Sequence, residues 1–144
     1  MFAISPMRIE DYDAVMALMR STPGVSIKDA DSHASTARYL TRNPDLSFIA
    51  TIGTETVGCI MSGHDGRRGY LQHLVVNEKY RRQGIANALV TRCVEALAAL
   101  GIQKCHIDVL KTNRDGAAYW DHQGWQLRSD IDRYSFIHSG NADV

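Results

Sequence analysis

The chain has 144 residues, a formal net charge of zero at pH 7 and 44% hydrophobic residues. This length and apolar content suit one compact domain with its own core. The balanced charge argues against a nucleic-acid-binding platform, and no segment approaches the roughly 20 apolar residues that a membrane-spanning helix needs. The first residues lack a basic region followed by an apolar stretch, so we expect no signal peptide and a cytoplasmic protein.

The N-terminal part of the chain is predicted to form one strand and two helices. The strand covers residues 2–7. Asp11 is suited to cap a helix that runs to Met19, because the apolar side chains between them recur at helical spacing. A weaker helix covers about residues 31–42 and ends before Pro44.

Three strands are predicted next, over about residues 46–52, 57–63 and 70–76. The first of them alternates apolar and polar residues, as a half-buried strand does. Short turns join the three, which predicts an antiparallel meander.

A long helix over about residues 83–100 follows, with apolar residues on one face and Gly101 at its end. The strand predicted over residues 104–110 must lie parallel to the strand before this helix, because a strand–helix–strand crossover imposes that direction. The remaining predicted elements are a helix over about residues 114–122 and strands over residues 125–127 and 134–138.

Together these elements predict an α/β fold with a mixed sheet in one domain, residues 1–144. The sheet is mostly antiparallel. Its one parallel pair is formed by the strands that precede and follow the long helix in the sequence, and further helices flank the sheet.

The cysteines and histidines indicate neither a disulfide nor a metal site. Cys59, Cys93 and Cys105 lie in apolar segments without a Cys-x-x-Cys spacing, and the six histidines are scattered.

The most informative motif lies between the third meander strand and the long helix. Residues 81–86, Arg-Arg-Gln-Gly-Ile-Ala, follow a β-branched run and open the helix. A glycine turn at a helix N-terminus is an anion-binding site, and two arginines add charge suited to phosphates. The segment is neither a Walker A loop nor a dinucleotide-binding Gly-x-Gly-x-x-Gly.

Residues 81–86 resemble the [Gln/Arg]-x-x-Gly-x-[Gly/Ala] signature of the GNAT superfamily of acetyl-CoA-dependent N-acetyltransferases. Residues 113–125, Asn-Arg-Asp-Gly-Ala-Ala-Tyr-Trp-Asp-His-Gln-Gly-Trp, are similar to that family's Asn-x-x-Ala-x-x-Phe-Tyr-x-x-x-Gly-Phe segment. The predicted order of strands and helices is also that of the family, and the resemblance covers about residues 2–138.

The resemblance implies acetyl-CoA as co-substrate, with its pantetheine arm between two splayed parallel strands and its pyrophosphate over the backbone amides of residues 82–87. Asn113 is a helix N-cap that the resemblance also places near pantetheine, and Trp120 is expected to pack on that arm or on the acceptor. The predicted cofactor-binding residues are Leu74, Val75, Val76, Arg81, Arg82, Gln83, Gly84, Ile85, Ala86, Asn87, Asn113 and Trp120.

The chemistry implied by the resemblance is direct attack of a primary amine on the thioester in a ternary complex. The amine must first lose a proton, since an ammonium has no lone pair. Asp108 is the first candidate for the base and His73 the second, with His106 on the same predicted face as Asp108. By family position, the backbone N–H of Val76 would donate to the tetrahedral oxyanion.

The general acid is the point at which this chain departs from the family pattern. Trp120 stands where the family has a tyrosine, and an indole N–H does not deliver a proton at neutral pH. Four alternatives remain open for the general acid: Tyr119 after a local shift, Tyr134 from a late strand, water, or no acid at all. A thiol pKa of about 8.5 makes the thiolate a tolerable leaving group without an acid.

Two functions follow from this sequence. The first is an N-acetyltransferase acting on an amine of a small molecule or a protein. The second, motivated by Trp120, is a non-catalytic acyl-CoA sensor or partner-binding module on the same fold. Expected partners are acetyl-CoA and an unidentified amine acceptor, without nucleic acid, membrane or metal, and the resemblance allows a homodimer.

Overall fold

The computed structural model describes residues 1–144, which divide into two compact units, Met1–Asp108 and Val109–Val144. The first unit contains a sheet and three helices, and the second contains one helix. None of the helices combines the length and the apolar content that a membrane span requires. That residues 1–144 form one domain stays a prediction.

The sheet of the first unit has five strands in the order of the sequence. The first four are antiparallel neighbours, and the last pairs in parallel with the fourth, which confirms the predicted meander and parallel pair. The strands are β1 (Ala3–Pro6), β2 (Phe48–Ile52), β3 (Glu55–His64), β4 (Gly69–Val76) and β5 (Cys105–Ile107).

All four predicted helices are present. They are α1 (Tyr12–Arg20), α2 (His33–Arg42), α3 (Ile85–Ala99) and α4 (Arg114–His122). Asp11, however, does not cap α1. It ends a preceding 3₁₀ turn, Ile9–Asp11, and its carboxylate accepts from the Arg8 N–H at 2.8 Å. The side chain therefore closes the turn before the helix, because residue 11 already has helical backbone angles.

The predicted alternation along β2 is wrong. Phe48, Ile49 and Ala50 are all buried, because the sheet is covered on both faces. Ile49 and Cys59 belong to the cluster that α1 forms on one face. On the other face α3 lies against β3 at Gly58.

The prediction of two C-terminal strands is also wrong. Residues 125–127 and 134–138 adopt no strand conformation. Leu127, Tyr134 and Phe136 are 83%, 92% and 88% exposed. Aromatic and β-branched residues favour strands only where cross-strand and same-face neighbours pack against them, and these side chains lack that packing.

The cysteines are unpaired, and two of the three are fully buried. Burial raises the pKa of the Cys59 and Cys93 thiols to about 12, and it also raises the pKa of the half-buried Cys105. Thiols with such pKa values stay protonated at neutral pH. The prediction that they are buried core residues is confirmed for Cys59 and Cys93.

Close packing of α3 on β3 makes Gly58 sensitive to substitution. A Cβ at this position would lie 3.1 Å from Ile85 Cγ2 and 3.3 Å from Leu89 Cδ1. We expect Gly58→Val to lower the free energy of unfolding by about 1–3 kcal/mol through overpacking. Urea unfolding measures this. Thr54→Val in the neighbouring exposed turn is the control, with an expected change below about 0.5 kcal/mol, and an equal effect of both would contradict the packing.

Candidate functional site

The parallel strands β4 and β5 are paired only at one end. The pairs are Gly69–Cys105, Tyr70–His106 and Leu71–Ile107. β5 then ends, whereas β4 continues to Val76 along β3. The edge of β4 from Leu74 onward consequently has no neighbour in the sheet on the side of β5. The two strands part at this point, as predicted.

A β-bulge occurs in β4 where this parting begins. Cys59 is opposite Val75 and Met61 is opposite Gln72, so β4 carries one more residue than β3 between these pairs. His73 has a left-handed backbone, with φ of 53°, and its carbonyl accepts from Cys59 Sγ at 3.4 Å. A bulge bends its strand and increases its twist, which accounts for the departure of β4 from β5.

The backbone of Val76 faces the open edge. The Asn77 N–H donates to the Val57 carbonyl at 2.8 Å, which makes these residues a hydrogen-bonded pair. Hydrogen-bonded and non-hydrogen-bonded residue pairs alternate along two antiparallel strands. Val76, which precedes Asn77, therefore belongs to a non-hydrogen-bonded pair, and its N–H and C=O point away from β3. In agreement, the Val76 carbonyl accepts from Arg81 Nε at 3.3 Å. The Val76 N–H thus lies on the open edge, where the family resemblance places an oxyanion donor.

The turn from β4 into α3 has two left-handed residues. Arg82 has φ of 65° and Gly84 has φ of 84°. Gly84 is the N-cap of α3 and no side chain caps the helix. A Cβ at Gly84 would meet no atom within 4 Å, so the space in front of it is open. The first N–H groups of a helix have no partner within it and carry positive partial charge.

Side chains of this turn complete an electropositive corner. Arg81, Arg82 and Gln83 are exposed, whereas Ile85 is buried and anchors the first turn of α3. Ala86 is half-buried. Fixed cations beside an uncapped helix N-terminus suit an anion such as a phosphate. The predicted pyrophosphate residues therefore lie in the turn before α3 and in its first helical turn, next to the open space at Gly84.

In the second unit, Asn113 caps α4 as predicted. Its Oδ1 accepts from the Gly116 N–H at 2.9 Å. The helix ends at His122 and is followed by Gly124, which has φ of 83°, and the Trp125 N–H donates to the Trp120 carbonyl at 3.0 Å. The two tryptophan rings pack with centroids 4.5 Å apart. Trp120 is only 7% exposed, so it serves as a packing residue of this unit, and its contact with a cofactor stays a prediction.

The two tyrosine candidates for the acid are in different environments. Tyr119 is half-buried, its ring lies edge-on to Trp120 at 5.1 Å, and burial raises its pKa. A tyrosine with a raised pKa keeps its proton at neutral pH. Tyr134 does not lie on a strand, contrary to expectation, and it is 92% exposed.

The base candidates are both in the first unit. Asp108 is exposed and lies one residue beyond the end of β5, so it is not on the strand that the sequence predicted. The His106 ring, which shares that region, packs against Tyr70 with centroids 5.8 Å apart. His73 lies in the bulge itself.

His73 has a partner that the sequence did not reveal. Its Nε2 lies 2.8 Å from Oδ1 of Asp31, and the two side chains are 15% and 14% exposed. Asp31 belongs to a 3₁₀ turn, Asp29–Asp31, just before α2. An acidic residue before a helix is usual at an N-terminus, so nothing in the sequence distinguished this one.

The cap of α4 can be tested by stability alone. We expect Asn113→Ala to lower the free energy of unfolding by about 1 kcal/mol, because the Gly116 N–H loses its acceptor. Asn113→Asp retains a capping oxygen and should stay close to wild type. Chemical denaturation of the three proteins checks this, and equal stability of Asn113→Ala and wild type would contradict the cap.

Known proteins are similar to this chain in sequence and in fold. The model of the Acetyltransferase (GNAT) family matches residues 12–125. An acetyltransferase of Photorhabdus laumondii is 37% identical over 114 residues, which cover 76% of each chain. The PaiA N-acetyltransferase of Thermoplasma acidophilum, solved with coenzyme A, is 17% identical with a TM-score of 0.80 over 92% of this chain and 93% of its own.

A further solved structure is the aminoglycoside N-acetyltransferase AAC(6')-Iy with a bisubstrate analogue, CoA-S-monomethyl-acetylneamine. It is 17% identical, with a TM-score of 0.74 over 95% of this chain and 99% of its own. At such identities the likeness concerns the fold. The family match and the closer relatives identify the activity class: this chain belongs to the GNAT family and is an acetyltransferase.

Proposed function

We propose that this enzyme transfers the acetyl group of acetyl-CoA to a primary amine of a small molecule or a protein, by direct attack in a ternary complex. The observation that carries the proposal is the parting of β4 from β5 next to the uncapped N-terminus of α3. A cleft with strand backbone on one wall and a helix N-terminus at its end fits an amide-containing arm that terminates in phosphates.

Pantetheine carries two amide groups, and an open strand edge offers the donors and acceptors to pair with them. In the proposed complex these are backbone groups of Leu74 and Val76. The backbone groups of Val75, which the sequence also predicted to bind, point towards β3, because the groups of successive residues alternate in direction along the ladder. The pyrophosphate lies over the N–H groups of residues 82–87, including that of Asn87, with Arg81 and Arg82 beside it. In the coenzyme A complex of the PaiA enzyme the same cofactor is bound on this fold, which supports the assignment.

The reaction needs deprotonation of the amine and stabilisation of the oxyanion. Asp108 and His73 are the proposed bases, and the Val76 N–H is the proposed oxyanion donor. Protonation of the departing thiolate by Tyr119, by Tyr134 or by water is compatible with the chemistry. Holding both substrates in one cleft supplies a further part of the acceleration.

Acetyl-CoA binding can be tested by thermal unfolding. At a ligand concentration a hundredfold above Kd we expect stabilisation of about 2.7 kcal/mol, which corresponds to several degrees in Tm. Gly84→Trp should abolish the shift by filling the open space before α3.

Gly66→Trp is the matched control, since Gly66 also has a left-handed backbone and open space around its Cβ position but lies in the turn between β3 and β4. It should keep the shift. A shift that survives in Gly84→Trp, or no shift of wild type at millimolar acetyl-CoA, would refute the proposed cofactor site.

Transfer itself can be tested by release of free thiol from acetyl-CoA in the presence of amines. Suitable probes are neamine, a peptide with an N-terminal alanine, and spermidine. With an amine that reacts, Asp108→Asn and His73→Ala should each lower kcat more than they raise the Kd for acetyl-CoA. Unchanged turnover in both variants would remove the role of base from these residues.

A further inference from the structure

We infer that Asp31 is a positioning residue for acetyl transfer: its carboxylate holds the His73 imidazole so that Nδ1 accepts the proton of the attacking amine. The inference rests on the proposed function and deepens it, because it decides between the two candidate bases. It joins the segment between α1 and α2 to the bulge of β4, two parts of the chain that are 42 residues apart.

The pair is close and largely shielded from water. His73 Nε2 lies 2.8 Å from Asp31 Oδ1, and both side chains expose about one-seventh of their surface, 15% and 14%. Solvent screens such a pair much less than it screens a surface salt bridge, so the carboxylate acts strongly on the imidazole. An exposed pair such as Arg8–Asp45, at 61% and 65%, lacks this property.

Asp31 is itself fixed by two further hydrogen bonds. Its Oδ2 accepts from the Lys28 N–H at 2.9 Å, and its main-chain carbonyl accepts from the Tyr12 hydroxyl at 2.6 Å. Burial acts to raise the pKa of Asp31, but hydrogen bonds from His73 and Lys28 together with the charge of His73 outweigh it, and the pKa is lowered. The carboxylate is therefore ionised at neutral pH and held in one orientation.

This arrangement determines which imidazole nitrogen is basic. An ionised carboxylate only accepts hydrogen bonds, so Nε2 carries a proton, and the neutral imidazole then has its lone pair on Nδ1. When Nδ1 takes a proton, the carboxylate stabilises the imidazolium. A buried aspartate orients the histidine base of serine proteases by the same physical principle.

The position of His73 suits this role. It lies in the bulge, immediately before the backbone of Leu74 and Val76 that would hold the pantetheine arm. Asp108, by comparison, is exposed one residue beyond β5. An imidazole suits proton transfer near neutral pH better than a carboxylate does, because the ordinary pKa of histidine, about 6.5, is nearer to neutrality than that of aspartate, about 3.9.

The step balances without a further reactant. His73 Nδ1 takes one proton from the ammonium, whose nitrogen lone pair then forms a C–N bond with the thioester carbonyl carbon. The C–S bond breaks and its electron pair leaves with the coenzyme A sulfur. The thiolate takes the second proton from the acetylated nitrogen, and His73 releases the first to solvent.

The kinetic test compares Asp31→Asn with Asp45→Asn. Both substitutions replace a carboxylate by a nearly isosteric neutral amide, but the Asp45 carboxylate belongs to the exposed pair with Arg8. We expect Asp31→Asn to lower kcat ten- to a hundredfold with the KM for acetyl-CoA within twofold, and Asp45→Asn to keep kcat within twofold. Asp31→Glu, which restores a carboxylate, should recover part of the loss.

A spectroscopic test can be made first on the wild-type protein. At pH 8, ¹⁵N chemical shifts of the His73 ring should show a protonated Nε2 and an unprotonated Nδ1 in the wild-type protein. A protonated Nδ1 at the pH of maximal turnover would overturn the inference. In Asp31→Asn the shifts should move towards a mixture of the two tautomers.

The outcomes separate this inference from the proposed function. Wild-type protein that releases no thiol with any of the amines overturns both. Wild-type turnover combined with unchanged kcat in Asp31→Asn overturns the inference alone. An equal loss of kcat in Asp45→Asn and Asp31→Asn also overturns it, because the loss would then not depend on the contact between Asp31 and His73.

Discussion

The bulge at His73 and Leu74 is the feature on which the proposed cofactor cleft depends. β4 pairs with β5 through three residues and then bends away, while it remains bonded to β3. This leaves N–H and C=O groups on one strand edge without a strand partner. Unpaired edges are usually covered or blocked in folded proteins. Here the open edge lies beside an uncapped helix, and both features are explained if a ligand completes them.

A site built from backbone groups places few demands on side chains. Leu74, Val75 and Val76 need only favour an extended conformation, and Gly84 is required because of its left-handed φ of 84°. The Photorhabdus laumondii relative is 37% identical to this chain over the matched residues, and the two solved structures described above are 17% identical, although the fold is the same. The side chains that touch the acceptor are where such enzymes can differ without loss of the cofactor cleft.

Local patterns in the sequence were sufficient for most of the fold. The helical spacing of residues 83–100 predicted α3, and the crossover argument predicted the parallel pair. The Arg-Arg-Gln-Gly-Ile-Ala segment predicted the electropositive turn that leads into α3. Long-range contacts were not accessible in this way. The pairing of Asp31 with His73 joins residues 42 positions apart, and no local signal marks a bulge at a histidine. The prediction of two C-terminal strands was wrong for the opposite reason. These segments have residues that favour strands, but no neighbouring strand pairs with them.

The division of roles in the site follows from burial. Arg81 and Arg82 remain exposed, where salt screens their charge, whereas Asp31 and His73 are shielded from water and lie 2.8 Å apart. Binding would thus rest on backbone groups with solvated charges, and proton transfer on a largely buried pair. In the proposed site, proton transfer takes place at the bulge of β4, and cofactor binding extends from the bulge to the first turn of α3.

The central claim, that acetyl-CoA binds to backbone groups of β4 and α3, is tested most directly by amide hydrogen exchange with and without acetyl-CoA. The account predicts slower exchange at Leu74, Val76 and residues 82–87, with little change in β1 and α1. Ligand binding with no protection at these amides, or with protection confined to other segments, would contradict it.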